Sequence, residues 1–200
     1  MAIHSGFLFS YPFYRVYDLF EFLLNDLSKY FHGGDFEKEL NRVLERECAA
    51  YRLINARFVL VTDPAEIESI TAASVSPVDG VRQHIRRSAE LLSDRQKPDY
   101  RNAIKEAISA VESAVAFVSG EKTGGVGRPL RKVMEELKLH PALRDGFEKL
   151  YAYTSDADGI RHAIMEKGKD GAELTQADAK YMLVACSAFA NYLITLKSKP

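Results

Sequence analysis

The sequence is short of the features that announce a chemistry. It has two cysteines, Cys48 and Cys186, and neither sits in a Cys-x-x-Cys pair or a Cys/His spacing suited to zinc. Both fall among apolar residues in helical patterns, where buried reduced thiols and a cytoplasmic home are expected. No run of about eighteen apolar residues is present, so no membrane span is expected. The start, Met1–Tyr14, is aromatic and apolar, but it lacks a basic leader and a small-residue cleavage site. It reads as an apolar arm. The formal net charge is only −1, which excludes a surface built as a whole for nucleic acid. No internal repeat, low-complexity tract or nucleophile elbow appears. Neither metal nor organic cofactor is expected.

What is present is helical periodicity. Val16, Leu19, Phe20, Leu23, Leu24 and Leu27 recur at three- and four-residue spacing, which predicts a helix over Phe13–Phe31 ended by Gly33-Gly34. Asp35 is placed to cap a second helix, Phe36–Ala50, with Phe36, Leu40, Val43, Leu44 and Ala50 turned inward. Tyr51–Val61 then switches to β-branched and aromatic residues about Asn55-Ala56. Asn tolerates the positive φ of a tight hairpin turn, although Ala is a poor second residue. Thr62-Asp63-Pro64 starts a short helix, Ala65–Ala73.

Ser74–Asp79 is small, polar and proline-bearing, and it divides the chain into residues 1–76 and 77–200. The second part reads as a helical bundle. Its predicted helices are Gly80–Ser93, Asp99–Ser119, Arg128–Leu139, Pro141–Tyr153 and Thr175–Leu196. Ile104, Ile108, Val111, Val115 and Val118 make a clean apolar stripe, the first four of them expected to share a core with Met182, Leu183, Cys186, Leu193 and Ile194.

Several features bear on function. Asn102, Glu106, Ser109 and Ser113 share a second face of the Asp99–Ser119 helix. One reading is a solvated face. The other is a helix packed on both sides, with Glu106 turned inward against a partner such as Arg161, because an unpaired buried carboxylate is strongly disfavoured. Between Arg82 and Lys105 seven Lys/Arg stand against three acids, a local excess of four. Arg82, Arg86, Arg87, Arg101 and Lys105 are the candidate contacts to RNA phosphates, though no aromatic ladder accompanies them to stack bases. The Gly120–Pro129 loop, with its Lys122-Thr123 pair ahead of the paired glycines, has neither phosphate-loop nor dinucleotide spacing and reads as an interhelical connection. Arg161-His162 follows Asp156, Asp158 and Gly159 at a helix start. A cation there is mildly unfavourable and asks for a reason: a carboxylate partner, or an anion site with His162 beside it. The remaining histidines, His84 among them, read as structural or exposed.

Glu45–Asn55, Tyr100–Ser113, Leu139–Leu143, Tyr153–Ala163 and Ala179–Ile194 together resemble bacterial proteins related to the N-terminal domain of AbiJ-type abortive-infection proteins. The resemblance implies a mainly α fold: a HEPN-like antiparallel helical bundle preceded by a smaller α+β region with one β-hairpin. It implies phage defence, in a fold that many relatives use as a metal-independent ribonuclease. In those, an Arg stabilises phosphate charge and a His several residues later acts as acid or base. Here Arg161 matches the Arg and His162 occupies the polar position after it. Glu166, Lys167 and Gly168 stand where the His is expected, so the motif is degenerate. Two functions follow from the resemblance. One is a module acting through RNA or a protein partner, such as an antitoxin or another defence protein. The other is an active ribonuclease toxin using Arg161, His162 and Glu106. HEPN domains commonly pair, so a homodimer is expected, with no membrane attachment.

Overall fold

A computed structural model describes residues 13–27, 33–120, 127–155 and 174–198. The fold is mainly helical, with a single two-stranded antiparallel hairpin among the described residues. The elements are α1 (Phe13–Leu27), α2 (Gly33–Arg46), β1 (Arg52–Ile54), β2 (Arg57–Val59), α3 (Pro64–Ser74), α4 (Asp79–Ser93), α5 (Tyr100–Ser119), α6 (Gly127–Glu136), α7 (Pro141–Ser155) and α8 (Gln176–Lys197). The mainly α fold with one β-hairpin expected from the sequence is the one observed. The aromatic start before Phe13 and the Lys122-Thr123 pair lie outside the described residues.

The chain forms two compact units, Met1–Thr62 and Asp63–Pro200. In the first, β1 and β2 pair with Leu53 opposite Phe58 and Ile54 opposite Arg57. Asn55 and Ala56 both take positive φ, 50° and 60°, the two left-handed residues that a tight hairpin turn needs. Leu44, Leu53 and Phe58 form the centre, with Tyr17, Phe20, Leu24 and Leu40 packed against it. The ring of Tyr17 stacks on Phe58 at 4.5 Å.

The inner faces of α1 and α2 differ from those read in the sequence. Leu19 and Leu23 are 39% and 40% exposed, Phe36 and Val43 also face outward, and Ala50 lies exposed beyond the end of α2 at Arg46. The reason is polar. In an antiparallel pair the N–H and C=O of every second residue point away from the ladder and need partners elsewhere. Glu21 of α1 is buried and accepts the Phe58 N–H at 2.8 Å and Arg57 Nη1 at 3.0 Å. Asn41 of α2 donates to the Leu53 carbonyl at 2.8 Å and accepts its N–H at 2.7 Å. Glu37, one turn before Asn41, accepts the N–H groups of Asn55 and Ala56. Turning these three polar side chains inward rotates their helices and carries Leu19, Leu23, Phe36 and Val43 out. α2 begins at Gly33, two residues before the Asp35 expected to cap it.

In the second unit α5 is the central helix, packed by α4 on one side and α8 on another. Asp63 caps α3 through Ala65 and Glu66 N–H, and Asp99 caps α5 through Asn102 N–H. Thr175 and Asp178 form a reciprocal capping box at the start of α8. Ile104, Ile108, Val111, Val115, Met182, Leu183, Cys186 and Leu193 are all buried, as their periodicity predicts, and Ile194 is half-buried. Helix α8 is long and apolar enough to cross a membrane by length and composition alone, yet one side of it supplies this core.

Candidate functional site

The α4–α5 contact gathers most of the polar residues singled out in the sequence. The two helices run antiparallel, and small residues let them approach closely. Gly80 stands against Ser113, so that a Cβ on Gly80 would meet Ser113 Oγ at 2.5 Å. One turn on, His84 Nδ1 lies 2.7 Å from Glu106 Oε2. A further turn on, the buried Ser88 hydroxyl donates to the Ala103 carbonyl at 2.7 Å. The Asn102–Ser113 stripe is therefore half-buried against α4 and not a solvated face. The second reading of that stripe holds, but with His84 as the partner of Glu106.

His84 and Glu106 keep 38% and 31% of their side chains exposed. An imidazole held by a carboxylate at one nitrogen keeps the other available for hydrogen bonding or proton transfer. The sequence did carry a signal for this pair. Gly80, His84 and Ser88 recur every four residues, a small–His–small line on one helix face, with Glu106 on the facing helix.

The expected phosphate contacts are employed in different ways. Arg82 Nη1 donates to the Ser76 carbonyl at 2.8 Å, and its other terminal nitrogen pairs with Asp79. Arg86 Nε donates to the Ser74 carbonyl at 2.9 Å. Both arginines thus tie α4 back to the segment after α3, where Ser74 and Ser76 are buried. Arg87 pairs with Glu90 at 3.0 Å on the surface. Arg101 is half-buried and Lys105 is exposed. The local excess of cations is real, but two of its members are bound to backbone carbonyls.

Arg161 and His162 lie outside the described residues. Among those described, no group of three His, Cys, Asp or Glu side chains is placed to hold a metal. Burial raises the Cys186 thiol to about 12, so it stays protonated and is no nucleophile at neutral pH. A crevice beside it, lined by Ile108, Val111, Leu130, Phe147 and Leu150, is almost wholly apolar and offers nothing to an anion. Asp178 titrates below the usual carboxylate range because the Thr175 hydroxyl and N–H donate to it. Asp94 does so through the N–H groups of Lys97 and Gln96.

Comparison with known families adds one finding. Residues 4–76 match the family described as AbiJ N-terminal domain 4. The family is one associated with abortive infection. No curated protein and no solved structure matches the chain. The AbiJ-type match covers the α1–α2–hairpin unit and runs on through α3 to Ser76. It includes the Glu45–Asn55 run, while the other segments that carry the resemblance, from Tyr100 onward, lie beyond it. Its end and the packing boundary differ by one helix. α3 lies inside the match, yet it packs in the second unit, where Asn191 donates to the Ser69 carbonyl at 2.9 Å and Lys180 pairs with Glu66.

Proposed function

We propose that this protein is a component of a bacterial abortive-infection system and acts by binding, through RNA or a protein partner, and not by cleavage. The AbiJ-type match over residues 4–76 carries the reading. The engagement of Arg82, Arg86 and Glu106 in bonds within the second unit supports it, because residues that read as chemistry-bearing serve the packing of α4 on α5. Arg161 and His162 then form a degenerate motif in a module whose output is association.

The test is a phage challenge of cells expressing the chain, with plating efficiency and RNA integrity read together. Protection with intact RNA, retained in Arg161→Ala and His162→Ala, is the expected result. RNA fragmentation lost in both variants would overturn it.

One observation favours the alternative, a ribonuclease toxin using Arg161, His162 and Glu106. The His84–Glu106 pair is half-exposed, and a carboxylate-held imidazole is a competent acid–base group. On this reading His84→Ala and Glu106→Gln would abolish RNA fragmentation and growth arrest while the protein stays folded.

A further inference from the structure

The outer side of α8 carries a pattern that its core role does not explain. Sixteen consecutive residues, Tyr181 to Leu196, contain no charge. The inner side accounts for part of this, yet only 44% of the most apolar window of α8 is buried. Toward solvent the helix presents Tyr181 at 61% exposure and Tyr192 at 39%, with exposed Ala188 between them and half-buried Ala185 alongside. These positions share one face. The exposed side of α4 shows the ordinary pattern for comparison, with Gln83, Arg86 and Arg87 in water. A water-facing helix strip with tyrosines and alanines but no charge has the character of an interface core, which is depleted in charge and enriched in Tyr.

The order of residues in the strip identifies what fits it. In an antiparallel pairing about a twofold axis, residues whose numbers sum to a constant meet. Tyr181 with Tyr192 and Ala185 with Ala188 give the same sum. One axis midway between residues 186 and 187 therefore sets alanine against alanine at the centre and tyrosine against tyrosine at both ends. An isologous interface needs such self-complementarity, since each patch must accept its own copy. Small central residues let two helix backbones approach, and the outer tyrosines supply rigid contact area with a hydroxyl for the wet rim. Tyr192 is already held in place, its ring 6.4 Å from Phe189, which itself stacks on Phe147. The absence of charge removes the like-charge repulsion that self-association otherwise meets. We infer that the outer face of α8 is a homodimer interface, occupied by α8 of a second copy of this chain in antiparallel orientation.

Light scattering on the full chain tests this. Wild-type protein at high micromolar concentration is expected to be a dimer. Ala188→Glu, which puts two like charges at the centre of the pairing, is expected to be a monomer with unchanged helix content, and its melting should no longer depend on protein concentration. Arg87→Glu, on the α4 surface, should leave the dimer intact. A second measurement fixes the register: in a Cys48→Ser background, an oxidised equimolar mixture of Ala185→Cys and Ala188→Cys proteins should form disulfide-linked pairs more readily than either protein alone. A monomeric wild type, or a dimer that Ala188→Glu leaves intact, would overturn the inference. So would flotation of monomeric wild type, but not of Ala188→Glu, with phosphatidylcholine/phosphatidylglycerol vesicles, since the face would then serve a lipid surface.

Discussion

Asn41 holds Leu53 by both ends of its side-chain amide, giving the strand the donor and acceptor that a third strand would otherwise provide. Leu53 and Phe58 are opposite each other in the hairpin, and the outward backbone of Phe58 is met in the same way by Glu21. A two-stranded hairpin is marginal alone. Here its two edges are closed by side chains from two helices, and its turn by a third side chain, Glu37. Polar residues on the inner faces of α1 and α2 therefore complete the hairpin's backbone hydrogen bonds, while apolar ones fill the space beneath.

Asn41→Leu keeps the volume but removes both bonds. The Leu53 N–H and carbonyl are left without their partner in a part-buried place, a cost of about 1–3 kcal/mol for each group so stranded. The expected result is loss of amide-exchange protection over residues 52–59, with protection of α5 and α8 retained. Unchanged protection of the hairpin would show that water replaces Asn41 at no cost.

Ala56 sits at φ 60°, where a Cβ meets the following carbonyl oxygen. That conformation costs a non-glycine residue about 1–2 kcal/mol, part of which glycine gives back through the greater entropy of its unfolded chain. Ala56→Gly should stabilise the first unit by about 1 kcal/mol, measured by denaturant unfolding or by slower exchange of the hairpin amides. A destabilised Ala56→Gly protein would mean that the turn leaves the left-handed region in solution.

Glu37 gives a pH dependence with a defined sign. Desolvation by burial raises its carboxyl above the ordinary 4.5, and the Asn55 and Ala56 N–H groups only partly oppose this. A folded-state pKa above the unfolded one favours folding while the group is protonated. That contribution is fully present below about 4.5 and is lost as the pH rises through the raised folded value. Glu37→Gln cannot ionise. Relative to it, wild type should lose stability as pH rises from about 4.5 toward neutrality. A difference between the two that stays flat from pH 4 to pH 7, in paired thermal melts, would sink this account.

Thr175 and Asp178 pull the other way. The Thr175 hydroxyl and N–H donate to the Asp178 carboxylate, so its pKa falls below the ordinary 3.8. The stability this adds is present above the unfolded value and is lost as pH falls through the folded one. Thr175→Ala should cost about 0.5–2 kcal/mol at neutral pH, typical of a lost N-cap, with a smaller difference in acid. A difference that grows on acidification would contradict this assignment.

How far the sequence foretold these features depends on which force sets each one. Apolar periodicity set α5 and α8, so Ile104, Val111 and Leu193 were legible as core. Turn chemistry set the hairpin, and Asn55-Ala56 was legible as its turn. The inner faces of α1 and α2 are not legible in the sequence, because Glu21, Glu37 and Asn41 are turned inward by backbone groups of a hairpin distant in sequence, which periodicity does not register. Glu106 was legible as a carboxylate needing a partner. The identity of the partner, His84, needs the structure: the Gly80–His84–Ser88 line marks a close-packing face of α4, but periodicity does not say that this face meets Glu106, 22 residues on. Arg161 and His162 lie outside the described residues, so their expected roles rest on the sequence alone.

The close approach of α4 to α5 rests on Gly80, and this gives the sharpest test of the His84–Glu106 pair. A Cβ at Gly80 would stand 2.5 Å from Ser113 Oγ and 2.8 Å from Ser113 Cβ. Rotation of the hydroxyl relieves the first contact but not the second, so Gly80→Ala must push the helices apart or twist them. Overpacking of this kind typically costs about 1–3 kcal/mol. Because His84 is one turn from Gly80, the same displacement should weaken the 2.7 Å contact to Glu106. Removing the obstructing atoms by Ser113→Gly should restore part of what Gly80→Ala loses, even though Ser113→Gly is itself unfavourable inside a helix by about 0.5 kcal/mol. In a double-mutant cycle the two changes should therefore couple favourably, by about 0.5–3 kcal/mol. The readouts are the melting temperature and the chemical shift of the His84 ring as a function of pH, the second reporting on the pair directly. A neutral Gly80→Ala, or a cycle with no coupling, would show that the α4–α5 contact is looser than the structure has it.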